Sequence, residues 1–180
     1  MASPPIGLLA ATTVGISFCS AFIAGNCALT YIGLPALLLP PPASALPESS
    51  DAPLSGVVKP ATNAPQLARQ WQKIYNIGAR AGPGDAAISA AAFLYAFQLL
   101  PSHATLPRRL YLAAAVLSTL VAPFTWTVMK KTNGELHRRA NAATLGRDEE
   151  AGPKKDAREG TVESYPTADL IRWWGTLNIL

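Results

Sequence analysis

The sequence predicts an all-α membrane helical bundle, with three full spans and a truncated or half-inserted fourth helix. Two observations lead to that class. Only 14% of the 180 residues are charged while 49% are hydrophobic, against roughly 25% charged in an average soluble domain. The apolar residues also come in unbroken blocks, not in the stripe that a soluble helix turns toward its core. Ile6 to Leu39 is 34 residues without a charge and Leu110 to Met129 is 20; about 20 helical residues rising about 1.5 Å each cross a hydrocarbon layer of about 30 Å. The formal charge of +4 comes from bases that flank these blocks, where long stems can reach the headgroups while the charge stays wet. With no C-x-x-C, RNP-type or basic heptad signature, they imply a lipid bilayer as partner and no nucleic acid. Residues 1–180 read as a single membrane domain of undetermined oligomeric state.

The first span is placed at residues 6–39. A cleaved signal peptide is the rival reading, because Ala43-Ser44-Ala45 has the small-x-small form of a cleavage site. Against it, the run far exceeds the ~7–15 apolar residues of such a leader, and no basic residue precedes it. Gly7, Gly15, Gly25 and Gly33, with alanines between them, let another helix approach closely. Asn26 is the one strongly polar side chain in the run, and an interhelical hydrogen bond explains it better than a ligand contact. Cys19 and Cys27 are eight residues apart, about 12 Å along a helix and beyond disulfide reach, so they read as packing residues.

Residues 40–65 hold seven prolines, whose missing donors and fixed φ angles make an extended linker. Gln66 to Ala81 then sets Leu67, Trp71, Ile74 or Tyr75, and Gly78 on one helical face, an amphipathic interfacial helix leading into the next span. Trp71 and Tyr75 suit either the headgroup level or a substrate contact. The second span is placed at 83–100, with Pro83 at helix position N1 and Asp85 in the first turn, where it suits the positive end of the helix dipole. A short connector with His103, a solvated loop histidine, leads to the third span at 110–129. Lys130 and Lys131 close that span. Thr132-Asn133-Gly134-Glu135 reads as a polar break before a surface-lying helix that resumes at Leu136 and Ala140. Residues 146–165 form a charged, mobile loop without apolar periodicity. Pro166 and Thr167 start a last, partial helix over 168–180, too short to span. Lys and Arg number four in the first connection, two in the second and nine after the third span, which puts the first and last groups on the cytosolic side.

No Ser/His/Asp order, phosphate-cradling glycine loop, H-E-x-x-H or dinucleotide fingerprint is present, so hydrolase and nucleotide chemistry have no support. With two histidines and two apolar-run cysteines a metal site would have to be built mostly from carboxylates, and Asp148-Glu149-Glu150 reads as a solvated run, so no metal is expected. What remains is a membrane-edge cluster: Trp71 and Tyr75, then Thr125, Asn133 and His137 around the end of the third span, and Trp174 with Asn178 on the last helix. Aromatic rings to stack, amides to fix oxygens and one titratable base suit a flat polycyclic phenol with a weakly acidic C–H.

The stretch PFTWTVMKKTNGEL, with WWGTLN at 173–178, resembles the anthrone oxygenase family of fungal polyketide pathways, small membrane proteins of about four hydrophobic spans. The matching positions are Pro123, Phe124, Thr125, Met129, Thr132, Asn133 and Leu136, and then Trp174 and Asn178. The resemblance implies oxidation of an anthrone to an anthraquinone by O₂ as co-substrate, with no cofactor, by an integral multi-pass protein of the endoplasmic reticulum or a related endomembrane. The protein would orient the aromatic polyketide substrate, stabilise its anion and take a proton. His137 would be the base, though it is not one of the matched positions, and Arg138 or Arg139 would hold the anion. His137 also reads as an exposed histidine on a basic surface helix. Family members usually continue through a complete fourth span, which this chain does not reach. A non-enzymatic four-span scaffold or partner subunit is the alternative reading, and a transporter is disfavoured because no span carries a paired charge.

Overall fold

The computed structural model describes residues 5–39, 64–147, 150, 152–154 and 156–179. Every regular element among them is helical: α1 (Ile6–Ala28), a π-helical turn (Leu29–Gly33), α2 (Leu34–Leu38), α3 (Ala64–Leu99), α4 (Thr105–Thr119), α5 (Val121–Thr127), α6 (Lys130–Thr144) and α7 (Thr167–Leu177). The Ala43-Ser44-Ala45 site and nearly all of the proline-rich linker lie outside the described residues. The linker's last two expected residues, Ala64 and Pro65, instead open α3, where a proline without a donor is tolerated in the first turn.

α1, the π-helical turn and α2 form one continuous helical run that matches the first expected span to within a residue. The π-helical turn has a local cause. Pro35 has no N–H to give to the fourth carbonyl back and its ring crowds that carbonyl; the widened turn, closed by the Leu34 N–H on the Leu29 carbonyl, makes room for it.

Two helices among the described residues, Ile6–Leu38 and Thr105–Thr127, are long and apolar enough to cross a membrane. Little of either is buried, and Leu117 is 65% exposed, whereas the core helix of a soluble protein hides its apolar face. The expected span at 83–100 is the second half of α3. Pro83 does not start that helix; it lies inside it, between Gly82 and Gly84, and α3 runs on for 36 residues. The expected span at 110–129 begins earlier, at Thr105, and is interrupted at Leu120. Pro123 cannot donate to the Thr119 carbonyl, which explains the interruption.

The apolar stem is built from α1, the second half of α3, and α4. α1 and α3 run antiparallel: Gly7 faces Leu99, Gly15 faces Phe93, and Gly82 faces Phe22. Ser89 donates to the Gly15 carbonyl at 2.9 Å, and Thr12 and Tyr111 share a 2.7 Å hydrogen bond from α1 to α4. These hydroxyls join the helices. The Asn26 side chain, expected to do so, has no hydrogen-bond partner among the described residues.

Beyond the stem, the first half of α3 packs with α2, α6 and α7 around a core of Leu34, Leu67, Trp71, Met129, Leu136, Leu170, Ile171, Trp174 and Leu177. The expected break at residues 132–135 is absent. α6 begins at Lys130, and the Asn133 N–H already donates to the Met129 carbonyl at 2.8 Å. Nor does α6 merely lie on the surface, since Thr132, Asn133, Glu135, Leu136, Arg139 and Ala140 are buried. It ends in a Schellman cap: Gly146 sits at φ 72°, its N–H on the Ala143 carbonyl and the Arg147 N–H on the Ala142 carbonyl. α7, eleven residues long, buries one face in the core.

The glycine contacts give a paired prediction. Gly15→Ala places a methyl carbon 2.6 Å from the Phe93 ring and lowers stability by about 1–3 kcal/mol through overpacking. Gly78→Ala, with nothing within 4 Å, raises it by about 0.5–1 kcal/mol through helix propensity. Unfolding in a mild detergent, followed by far-UV circular dichroism, measures both.

Candidate functional site

The amphipathic first half of α3 delivers Leu67 and Trp71 to the core, with Ile74 and Tyr75 half-buried beside them. Gly78, expected on the same face, is exposed, so the buried stripe ends at Tyr75. α6 brings up a matching stripe. Met129, Thr132, Asn133, Leu136 and Ala140 recur at spacings of three and four and are all buried. His137 stands at the edge of this stripe. α7 adds Trp174 from the third side.

Four rings meet there. The centroid of Trp71 lies 5.1 Å from Tyr75, 5.0 Å from His137 and 5.7 Å from Trp174, and Tyr75 and His137 are 4.6 Å apart with their planes at 90°. Edge-to-face contacts at these distances stabilise by about 0.5–1.5 kcal/mol each beyond burial. Trp71 and Trp174 are sealed from solvent, while Tyr75 and His137 are half-buried. His137 is therefore not the exposed surface histidine that its basic neighbours suggest. Burial pushes its pKa below the ordinary 6.5, since desolvation disfavours the imidazolium.

Three buried side-chain atoms among the described residues lack a hydrogen-bond partner: Trp71 Nε1, Trp174 Nε1 and Asn133 Oδ1. All belong to this head of the molecule. Two are donors and one is an acceptor.

The other expected site residues have their polar groups engaged elsewhere. The Thr125 hydroxyl donates to Val121 in its own helix at 2.9 Å, and the Asn178 amide donates to the Trp174 carbonyl at 2.8 Å. Arg138 makes a fork with both Glu135 oxygens at 2.6 and 2.8 Å and donates to the Glu150 and Gly152 carbonyls. Arg139 has no exposed surface; it donates to Glu135 at 2.7 Å, to the Thr167 hydroxyl at 3.0 Å and to the Glu163 carbonyl at 3.2 Å. Burial raises the Glu135 pKa, but the hydrogen bonds and charges of Arg138 and Arg139 outweigh it, and the carboxyl is held below its ordinary 4.5. The sequence carried this network as acid and base at i, i+3 and i, i+4. These bonds tie Glu150, Gly152 and Glu163, in the stretch expected to be a mobile loop, to α6.

An open groove of about 500 Å³ between α2 and α7 lies apart from the rings, lined by Thr30, Leu34, Leu38, Arg172, Thr176 and Ile179. Its one cation, Arg172, is paired with Asp169 at 2.7 Å. Among the described residues no three His, Cys, Asp or Glu side chains gather as a metal would need.

The described residues form an all-helical protein with two apolar, poorly buried helices that point toward a membrane, and with a Trp–Trp–His–Tyr ring cluster in its head. Residues 71–180 match the family described as Anthrone oxygenase, and the chain belongs to that family. Anthrone oxygenase nsrD of Aspergillus novofumigatus is 36% identical over 89 residues, 47% of this chain and 54% of that protein. Noranthrone monooxygenase of Aspergillus flavus is 35% identical over 71 residues, 39% of this chain and 33% of that protein. The matched stretch thus spans about half of the first relative and a third of the second. No solved structure matches the chain. The family match begins at Trp71 and takes in α6 and α7, so all four rings of the cluster fall within it.

Glu135→Gln leaves the Arg139 guanidinium buried without its counter-charge, and stability at neutral pH falls by about 3–5 kcal/mol. Because the folded pKa of Glu135 is depressed, its contribution is present above the ordinary 4.5 and is lost as pH falls through the lower folded value. Melting temperatures of wild type and variant, measured from neutral pH downward in detergent, should converge at the acid end.

Proposed function

We propose that this chain acts as an anthrone oxygenase: it binds a flat anthrone-type substrate at the Trp71–Tyr75–His137–Trp174 cluster and directs its oxidation by O₂ to the anthraquinone. The observation that carries the reading is a half-buried, neutral-leaning histidine packed edge-on against a tryptophan and a tyrosine, within the region of family similarity.

The activated methylene of an anthrone is a weak carbon acid. His137, whose imidazolium is disfavoured by burial, accepts one methylene proton, and the C–H electron pair delocalises over the rings onto the ketone oxygen. The carbanion passes one electron to O₂, the resulting radicals join in a C–O bond, and loss of water from the peroxide leaves a second carbonyl. The balance is one CH₂ and one O₂ giving one C=O and one H₂O. The chain's own part is to orient the ring system, exclude water and hold the proton. O₂ accepts the electrons directly, with no cofactor between.

In the same reading the helices Ile6–Leu38 and Thr105–Thr127 and the second half of α3 cross an endomembrane, such as that of the endoplasmic reticulum, and the head lies at its border. Trp126, 82% exposed at the end of α5, and Lys130 and Lys131 just beyond it suit the headgroup level.

Carbonate-washed membranes carrying the protein should consume O₂ with an emodin-type anthrone faster than control membranes, and His137→Gln should reduce the catalysed rate by about 10²–10⁴-fold. Equal rates in control membranes would overturn the reading and favour a scaffold. After subtraction of the spontaneous reaction, the acid limb of the rate profile should have its midpoint below pH 6.5, because a lowered pKa keeps the base neutral into more acid solution. That limb should vanish in His137→Gln.

A further inference from the structure

The sealed polar atoms of the head say how the ligand's oxygens are held, an inference that rests on the oxygenase reading. A buried donor or acceptor without a partner costs about 1–3 kcal/mol, and native structures contain few of them. Here three occur around one core: Trp71 Nε1 and Trp174 Nε1, whose rings touch at 5.7 Å, and Asn133 Oδ1, on the α6 stripe between Met129 and Leu136. The nearby charged groups show the opposite pattern. Arg138 and Arg139 are both bonded to Glu135, and their other bonds go to backbone carbonyls and to Thr167.

We propose that the ligand's oxygens are bound by these three neutral groups and not by an arginine: the indole N–H groups of Trp71 and Trp174 donate to ketone oxygen, and Asn133 Oδ1 accepts from a phenolic hydroxyl. The ligand class is a planar hydroxy-ketone that arrives uncharged. As the methylene proton moves to His137, negative charge grows on the ketone oxygen. The hydrogen bonds it accepts from fixed indole N–H groups strengthen with that charge, so they favour the anion over the bound ketone. The atoms are sealed, so the ligand reaches them by displacing packed side chains. Tyr75, half-buried at the edge of the cluster, is the ring that turns aside, while His137 stays in place as the base.

The test uses the full chain in lipid nanodiscs, with a hydroxyanthraquinone, unsubstituted anthraquinone and anthracene as probes, alongside O₂ uptake. Wild type should bind anthraquinone at least about tenfold more tightly than anthracene, and the infrared carbonyl stretch of the bound quinone should lie at lower wavenumber than in an apolar solvent. Trp71→Phe and Trp174→Phe, which keep a ring and lose only the donor, should each forfeit about tenfold of that preference and part of the shift. Asn133→Leu should erase only the extra affinity for the hydroxylated ring. An unshifted carbonyl in wild type overturns the proposal without any variant having to fold, as does an undiminished preference in both Phe variants. Normal quinone binding with the predicted shifts, but no catalysed O₂ uptake, would sustain the donor assignment and remove the oxygenase reading.

Discussion

Arg139 is the constraint on which the head depends. A guanidinium with no exposed surface must find all its partners within the protein. Those partners sit on three pieces of chain: Glu135 on α6, the Glu163 carbonyl in the charged loop, and Thr167 in the first turn of α7. One side chain therefore fixes the loop against α6 and starts α7 where Trp174 can meet Trp71. Arg138, turned outward from the same helix, fastens the earlier part of the loop through Glu150 and Gly152. The ring cluster is assembled on this frame. α3 carries two of its rings and runs on into the stem, which joins the site to the apolar helices.

The helical class was legible in the sequence because long charge-free runs have few other solutions. The first helix was placed to within a residue, and the last began at Thr167 after Pro166, as a proline that cannot be preceded by helix suggests. The interior boundaries were not legible, and proline and glycine are the reason. Pro83 reads as a start, yet α3 passes through it from Ala64 to Leu99. Pro123 looks like part of a span, yet its missing donor divides α4 from α5. Asn133-Gly134 reads as a turn, but tertiary burial of Thr132, Asn133 and Leu136 overrides the weak local preference for one.

Part of the site could also be read. Spacing alone put Trp71, with Ile74 or Tyr75, on one face of an interfacial helix. The membrane-edge grouping also named His137 and Trp174, but their ring contacts arise from tertiary packing, which no local pattern encodes. Sequence equally hides whether a polar side chain is free. Thr125 and Asn178 look like ligands for a substrate and are engaged within their own helices. Arg138 and Arg139 look like anion holders, although Glu135 three and four residues earlier was a visible sign that their charge is answered locally. The matched family positions Met129, Leu136 and Trp174 are core residues, so much of that pattern describes how α6 and α7 pack.

The widened turn at Leu29–Gly33 acts as a phase shifter. Upstream of it, Ala11 and Gly15 turn inward to α3; downstream, Leu34 turns into the head, and Gly175 is seated so closely on it that any side chain there would strike the Leu34 methyl. Thr30 fastens the seat by donating to the Gly175 carbonyl at 3.1 Å. Each residue of an α-helix advances the face by about 100°. Closing this turn to regular pitch with all five residues kept would swing Leu34 away from α7 and unseat it, whereas deleting one residue between 29 and 33 would restore the pitch and leave Leu34 nearly on its present face.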